Sequence, residues 1–386
     1  MITTSFKTRT VMQAKPHPVI NDDTWGIALD MGYSGVKNIS RSFMSCFPAY
    51  ARVMPKNAVE LARPLPTDIF YRDNERSDVW AVGEKANSMI SIESTNDSNA
   101  VLYGRNRYFS DIFRVTSRTS MALALSANEF GSPNGKKIKV QTGLPPKYMD
   151  TDKELLREAL SGDFSYDIKV GSGDWQHFEY SLSKDDIHIT QQPMGTMVSL
   201  AINKDGKPTP DAEKLFHSNI LVFDPGFRTG DCCLIKKGTV NPEECQTFSD
   251  LSMIEVLERT SREIADKYGV HIPVSAIQPV LETGMVKAFD KKTLRSKSYD
   301  ISDILAKCND EVCDAAIARL CEIYNYFQEV DYLAVTGGTG AAWMGRFHDR
   351  LRGLETLNIL PGNRNEDIPY IFANARGYYM YLINNN

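Results

Sequence analysis

No stretch of the sequence approaches the roughly 18 consecutive apolar residues that a membrane-spanning helix requires, so a helical membrane span is excluded. Basic excess is missing too: 44 lysines and arginines stand against 49 aspartates and glutamates, for a formal net charge of -5. A balance of that sign disfavours a broad phosphate-binding surface and with it direct nucleic-acid binding, so any link to DNA calls for an adaptor. The seven cysteines are odd in number and show no CxxC spacing, which does not suit a disulfide framework and fits a reducing cytoplasm. The six histidines are scattered, and none pairs with another at a metal-ligand spacing. Residues 1–23 lack the apolar core of a secretory signal and carry Lys7, Arg9, Lys15, Pro16 and Pro18 instead; they are expected to form a flexible arm.

What is present is the composition of a soluble globular protein, 42% hydrophobic and 24% charged over 386 residues. At about 150 residues per domain, that length suggests two or three domains and allows a cleft between lobes. Short β-rich runs at 25–29, 137–141, 187–190, 219–223, 232–235 and 332–335 alternate with helical periodicity at 112–128, 152–160, 251–268, 301–327 and 340–352. Such alternation predicts α/β layers of parallel or mixed sheets covered by helices. The strands ending at Asp30 and at Asp224 both run into a glycine-containing turn, one device used twice, and imply two similar halves. The polar stretch 203–211, with its Pro and Gly, is the expected boundary between them.

Three segments carry the candidate chemistry. In Asp30-Met31-Gly32-Tyr33-Ser34-Gly35-Val36-Lys37, a carboxylate at a strand end is followed by a tight turn, a hydroxyl and a lysine. The glycines let backbone N–H groups approach phosphate oxygens, Ser34 adds a donor and Lys37 a positive charge. Asp30 would hold Mg²⁺ through water, because this ion sheds its hydration shell reluctantly. Asp224-Pro225-Gly226-Phe227-Arg228-Thr229 repeats the pattern. Here Asp224 would share the hydrated metal, while Gly226 and Thr229 offer donors to the β- and γ-phosphates. Arg228 either neutralises phosphate charge or pairs with an acidic neighbour. The third segment, 332–339, ends in Gly337-Gly338-Thr339 and reads as a strand, a turn and a helix start, where a backbone can lie against a flat ring or a phosphate. Each segment taken singly also has an ordinary reading as a tight turn.

Their order is more specific. Two Asp-x-Gly hairpins about half the chain apart, then Gly-Gly-Thr after a strand, resemble the phosphate-1, phosphate-2 and adenosine motifs of the actin, Hsp70 and sugar-kinase superfamily. Thr142-Gly143-Leu144-Pro145 and Asn374-Ala375-Arg376-Gly377 resemble further segments of bacterial actin-like proteins. The combination looks most like the ParM/StbA-type plasmid-segregation actins over residues 25–381. The sequence departs from that family at Tyr33, where many relatives have a small hydroxyl residue, in its longer N-terminal arm, and at 287–303, which matches no motif.

The resemblance implies an actin-like ATPase fold: two lobes, each with a central mixed β-sheet flanked by helices, a duplicated RNase H-like core and smaller outer subdomains. Lobe I is then expected at 24–205, with an outer subdomain at about 42–105, and lobe II at 206–356, with one at about 255–325; 357–386 would return to lobe I. It implies ATP, with GTP as the alternative nucleotide, and Mg²⁺ held through water by Asp30 and Asp224. Gly32, Tyr33, Ser34, Lys37, Gly226, Phe227, Arg228, Thr229, Gly337, Gly338 and Thr339 would contact the nucleotide. Gln192, just before Pro193, would join Asp30 and Asp224 as the catalytic group by orienting the attacking water, with Gln191 as the alternative; a glutamine pair that merely caps a helix is the structural reading. Self-association into filaments, a DNA-bound ParR-like adaptor and a cytoplasmic location follow from the same resemblance, and no residue pattern encodes polymerisation by itself. A small-molecule kinase would need a catalytic aspartate beside an acceptor hydroxyl, for which no candidate stands out. An Hsp70-like switch is expected to need more chain after Gly377. The basic run Lys291, Lys292, Arg295 and Lys297 reads as a solvated face, with a filament contact as the alternative.

Overall fold

A computed structural model describes residues 9–56, 62–73, 78–89, 105–277, 280–281, 283–290 and 295–385. The chain divides into two compact units. One comprises Thr8–Ala212 and Phe372–Asn386; the other comprises Glu213–Ile371.

The first unit is built on β1 (Val11–Ala14), β2 (Thr24–Met31), β3 (Gly35–Ser40), β4 (Phe43–Pro48), β8 (Lys137–Leu144) and β11 (Ile187–Gln191), in the order β1-β4-β3-β2-β8-β11. Neighbours from β1 to β2 are antiparallel, and β2, β8 and β11 are parallel. Strand β2 is central and covered on both faces, which its nearly continuous apolar run requires. On one face Trp25 is fully buried and donates from Nε1 to the Ala124 carbonyl at 2.9 Å, at the end of α2 (Asp111–Leu125). That helix starts where Ser110 Oγ accepts from the Phe113 N–H at 3.2 Å. On the other face Gly26 lies against Tyr379 and Leu382 of α10 (Ala373–Asn384). A second, wholly antiparallel sheet, ordered β10-β9-β6-β7-β5, contains β5 (Ala51–Val53), β6 (Ile69–Asp73), β7 (Val79–Val82), β9 (Gly162–Val170) and β10 (Gln176–Leu182). The outer region expected at 42–105 is thus joined by strands from 162–182. Helices α1 (Glu84–Ser88), α3 (Met149–Leu160) and α4 (Gln192–Ala201) complete the unit.

Helices α4 and α10 meet backbone to backbone. A Cβ on Gly377 would stand 1.6 Å from the Gly195 carbonyl oxygen, and one on Gly195 would stand 2.6 Å from the Tyr378 ring. Arg376, 1% exposed, donates to the carbonyls of Ser199 at 2.9 Å and Ile202 at 3.0 Å, while Thr196 Oγ1 donates to Asn374 Oδ1 at 2.6 Å. The Asn-Ala-Arg-Gly segment therefore latches α10 onto α4 and satisfies the last carbonyls of α4.

The second unit repeats the sheet order. Strands β12 (Asn219–Pro225), β13 (Gly230–Lys236) and β14 (Thr239–Phe248) form an antiparallel meander, and β17 (Tyr332–Val335) and β18 (Asn358–Pro361) extend it in parallel from β12. The order β14-β13-β12-β17-β18 matches β4-β3-β2-β8-β11, so both halves carry a mixed sheet of the same topology. Helices α6 (Met253–Tyr268), α8 (Ser302–Ile323) and α9 (Gly337–Leu351) enclose a core that includes Phe223, Val256, Leu305, Trp343 and Phe347. Trp343 donates from Nε1 to Asn309 Oδ1 at 2.8 Å, which satisfies both buried groups. The remaining elements are α5 (Ala212–Phe216) at the junction, α7 (Val274–Ile277) and the hairpin β15 (Met285–Asp290) with β16 (Arg295–Asp300).

Several details differ from the sequence reading. From residue 9 onward the expected flexible arm is built into the sheet: β1 pairs with β4, His17 Nδ1 lies 2.7 Å from the Ser40 carbonyl, and Tyr379 Oη donates to the Pro18 carbonyl at 2.6 Å. An otherwise open sheet edge is covered in this way; residues 1–8 lie outside the described residues. The unit boundary falls between Ala212 and Glu213, and 357–371 stay with the second unit because β18 hydrogen-bonds to β17. Helix α8 ends at Ile323, followed by a left-handed turn at Asn325, Tyr326 and Phe327. Cys233 and Cys245, directly opposite each other on β13 and β14 with Cα atoms 3.9 Å apart, are joined as a disulfide, contrary to the expectation of unpaired thiols; the meander brings together cysteines that the sequence spacing kept apart. Lys291 and Lys292, and the side chain of Arg295, lie outside the described residues.

Gly377→Ala is expected to cost about 3 kcal/mol or more, because the added methyl meets backbone. Gly345→Ala, in α9 with nothing within 4 Å of the new atom, should stabilise by about 0.5–1 kcal/mol. Urea unfolding of both variants checks the contrast; equal effects would contradict the packing described.

Candidate functional site

Each unit presents one of the two Asp-ended hairpins. In the first, Asp30 pairs with Lys37 across β2 and β3, and Lys37 Nζ donates to Asp30 Oδ2 at 3.1 Å with both side chains largely buried. Gly32, Tyr33 and Ser34 form the turn. A Cβ on Gly32 would stand 2.8 Å from the Gly35 carbonyl oxygen and 3.0 Å from Lys37 Nζ, so the turn closes this tightly only around glycine. The Ser34 carbonyl accepts from the Ala49 N–H at 3.0 Å, which anchors the turn to the chain following β4. Tyr33 projects toward a residue that no motif singled out: the Arg107 guanidinium carbon lies 4.7 Å from the Tyr33 ring centroid.

Close by in the same sheet, β8 and β11 end in register, with Gln191 opposite Leu144. Gly143 is needed because Tyr378 Oη lies 2.1 Å from where its Cβ would be. Helix α4 then begins at Gln192, with Pro193 in its first turn. Gln191 occupies the cap position without a side-chain capping bond, so the glutamine pair is not there to cap the helix. Both glutamines are half-buried.

In the second unit the motifs at 224–229 and 336–340 are brought together. Asp224 Oδ1 lies 2.3 Å from the position that a Cβ on Gly337 would occupy, and Gly337 has φ +75°, so glycine is required there twice over. Thr339 Oγ1 donates to the Gly226 carbonyl at 3.1 Å. The Asp224 carboxylate is thereby seated at the start of the 15-residue helix α9, where the helix dipole favours negative charge. The Gly226 N–H donates to the Thr229 carbonyl at 2.8 Å and Thr229 Oγ1 donates to Asp231 Oδ2 at 3.0 Å, so both expected donors are engaged within the turn. The main-chain N–H groups of Phe227 and Thr229 are what this turn can offer. The Phe227 carbonyl accepts from the Ile254 N–H at 2.8 Å, tying the turn to α6.

A phosphate-bearing ligand fits each half-site on these observations. Gly32, Gly226 and Gly337 leave backbone cradles that a methyl group would fill, and Thr336 Oγ1, 1% exposed at the entry to α9, is buried without a hydrogen-bond partner. A hydrated Mg²⁺ fits Asp30 better than a bare ion, since Lys37 already occupies Oδ2. Among the described residues no group of three or more His, Cys, Asp or Glu side chains is placed to hold a metal directly. Sequence reasoning missed Arg107, Thr336 and Asp231, whose placement arises from contacts that no local pattern announces.

Comparisons with known proteins bear on the fold. Residues 28–195 match the family model described as actin like proteins N terminal domain, a span that contains the first hairpin, Gly143 and Gln192. No curated protein matches the sequence. Among solved structures, a non-polymerisable quadruple mutant of pCBH ParM is 20% identical with a TM-score of 0.67, covering 93% of this chain and 98% of its own. A ParM subunit of a 15-stranded filament from Clostridium botulinum is 19% identical with a TM-score of 0.66, covering 93% of this chain and 99% of its own. The archaeal actin homolog Ta0583, in complex with ADP, is 16% identical with a TM-score of 0.60, covering 93% of this chain and 99% of its own. The chain has the actin-like fold. No described helix is long and apolar enough to cross a membrane.

Burial raises the Asp231 carboxyl above its ordinary value, opposed by hydrogen bonds from Thr247 and Thr229. A raised folded-state value means that the neutral form is favoured in the fold; its contribution is full at low pH and is lost as pH rises through the folded value. Asp231→Asn is therefore expected to gain stability relative to the parent between about pH 4 and about pH 7. Thermal midpoints of both proteins at the two pH values test this, and a difference that does not change with pH refutes it.

Proposed function

We propose that this protein is a Mg-ATP-dependent, filament-forming actin-like ATPase. The observation that carries the reading is the repeated sheet order with an Asp-ended glycine hairpin at the same topological position in both units. ADP in the Ta0583 structure and the filament of the Clostridium ParM support nucleotide binding and assembly by analogy. ATP is the proposed nucleotide, with GTP as the alternative for the first experiment to separate.

In this reading the first turn supplies main-chain N–H groups at Tyr33 and Ser34, while Lys37 fixes the position of the Asp30 carboxylate, which would hold Mg²⁺ through water. Asp224, steadied by the start of α9, contributes the second carboxylate, and the N–H groups of Phe227 and Thr229 contact the phosphate tail. Gly337, Gly338 and Thr339 border the nucleoside. When bound, Mg²⁺ neutralises charge that develops on the phosphates. Gln192 holds the attacking water by hydrogen bonds and, having no basic atom, does not take its proton; hydrolysis is therefore slow. Assembly is head to tail through a heterologous contact that does not close on itself, and hydrolysis weakens it. A ParR-like DNA-bound adaptor connects the filament to plasmid DNA, in keeping with the acidic net charge of -5 and a cytoplasmic location.

Right-angle light scattering recorded with phosphate release, in Mg-ATP or Mg-GTP, tests the reading. Scattering should rise with nucleotide and decay as phosphate appears; phosphate release with flat scattering at all concentrations would favour a kinase or a non-polymerising switch on the same fold. Asp30→Ala and Asp224→Ala are each expected to lower phosphate release by about 100-fold or more. Gln192→Ala should slow it by about 10- to 100-fold while nucleotide affinity stays within about twofold. If only Gln191→Ala slows turnover, the water-positioning role passes to Gln191.

A further inference from the structure

The lysine of the first hairpin does not bring an uncompensated charge to its turn. Lys37 Nζ is 3.1 Å from Asp30 Oδ2 with both side chains largely buried, so the pair is close to neutral as seen from the turn. A different cation stands beside the turn. The Arg107 guanidinium carbon lies 4.7 Å from the ring centroid of Tyr33, 5.1 Å from that of Tyr108 and 5.9 Å from that of Phe113. These rings hold the guanidinium from several sides without removing its charge.

The carboxylate that meets Tyr108 is engaged in hydrogen bonds. Asp152, 5% exposed, accepts from Tyr108 Oη at 3.0 Å and from Thr151 Oγ1 at 2.8 Å. Burial pushes the Tyr108 phenol up to about 12, with Arg107 opposing that rise, so Tyr108 stays neutral and gives Arg107 no counter-charge. Among the described residues Arg107 has no ion pair. Among the described residues this half-buried cation has no counter-ion, and it is stacked on the middle residue of the turn, an arrangement that suits an added anion.

We propose that Arg107, held against Tyr33, is a phosphate-binding residue of the first turn and favours a nucleoside triphosphate over the diphosphate. The inference rests on the nucleotide-binding reading above. A triphosphate carries more negative charge than a diphosphate, and a fixed cation without a counter-ion distinguishes the two by Coulomb energy. The planar guanidinium also suits paired hydrogen bonds to phosphate oxygens, and its stacking on Tyr33 couples the occupancy of the turn to the segment that leads into α2.

Calorimetric titration of monomeric protein at low concentration, with Mg-ADP and a hydrolysis-resistant Mg-ATP analogue, tests the proposal. Arg107→Ala should weaken the triphosphate analogue by about 10- to 30-fold and ADP by less than about threefold, and the preference should shrink as salt is raised. Tyr33→Ala, which removes the stack, should lose much of the preference. The unfolding midpoint of nucleotide-free Arg107→Ala separates binding from packing. A large drop in that midpoint with equal losses for both nucleotides would make Arg107 a packing residue and overturn the proposal, as would unchanged affinities. Should Arg107→Ala fail to fold, Arg107→Gln, which retains most of the stem, carries the same expectation. A parent protein that binds neither ATP nor GTP refutes the nucleotide reading and this inference with it; a parent that binds both nucleotides alike with Arg107→Ala unchanged refutes this inference alone.

Discussion

The close approach of α4 and α10 governs much of the first unit. With Gly195 and Gly377 facing each other and Arg376 turned into the carbonyls of Ser199 and Ile202, a helix from the end of the chain becomes part of a sheet made near its beginning. The contact has little tolerance, because the atoms that meet are backbone, which cannot swing aside as a side chain can. Its reach extends to the candidate site. Tyr378, carried on α10, covers Gly143 at the end of β8, and α4 starts at Gln192 from the neighbouring end of β11. The position at which α4 starts, at Gln192, is thus tied to a helix pair packed backbone to backbone.

The charges in the two half-sites are managed differently. The first turn sets a cross-strand ion pair beside a turn anchored by Ala49, and its remaining positive charge arrives from Arg107 outside the hairpin. The second turn uses its own hydroxyl and N–H groups to hold itself closed and to solvate Asp231, whose burial would otherwise be costly. Internal bonds of this kind reduce the donors available to a ligand, yet they fix the directions of those that remain. Preorganisation of a few dipoles is worth more to a charged ligand than a larger number that must reorient on binding.

The hairpins were legible in the sequence because their information is local: an apolar strand, an aspartate and a glycine within a few residues determine a turn through backbone sterics alone. The duplication was legible for the same reason, since one local device appeared twice. Arg107 was not, because a cation–π contact to Tyr33 depends on how a short 3₁₀ turn is carried past β3, and no spacing encodes it. The segment at Val11–Ala14 looked like an arm because it is only four residues long, lies among Lys7, Arg9 and Lys15 and is followed by Pro16 and Pro18; its pairing with β4 comes from the open hydrogen-bonding edge that β4 presents. Cys233 and Cys245 likewise became neighbours only once the register of β13 and β14 was fixed. The Asn-Ala-Arg-Gly segment was visible as a motif, but its physical meaning, satisfying carbonyls at a helix end and allowing backbone contact, appears only in three dimensions.

Asp30 and Asp224 occupy equivalent strand ends, yet their surroundings give them different electrostatic roles. Asp30 is held by a cation across the hairpin, so its negative charge is largely cancelled at a distance and its free oxygen acts mainly as a short-range acceptor. Asp224 sits against the first residue of α9, where aligned peptide dipoles favour its negative charge. A sheet topology used twice has diverged through what lies beside each aspartate, a lysine in one unit and a glycine-led helix in the other, and the asymmetry is written in residues that a motif search treats as alike.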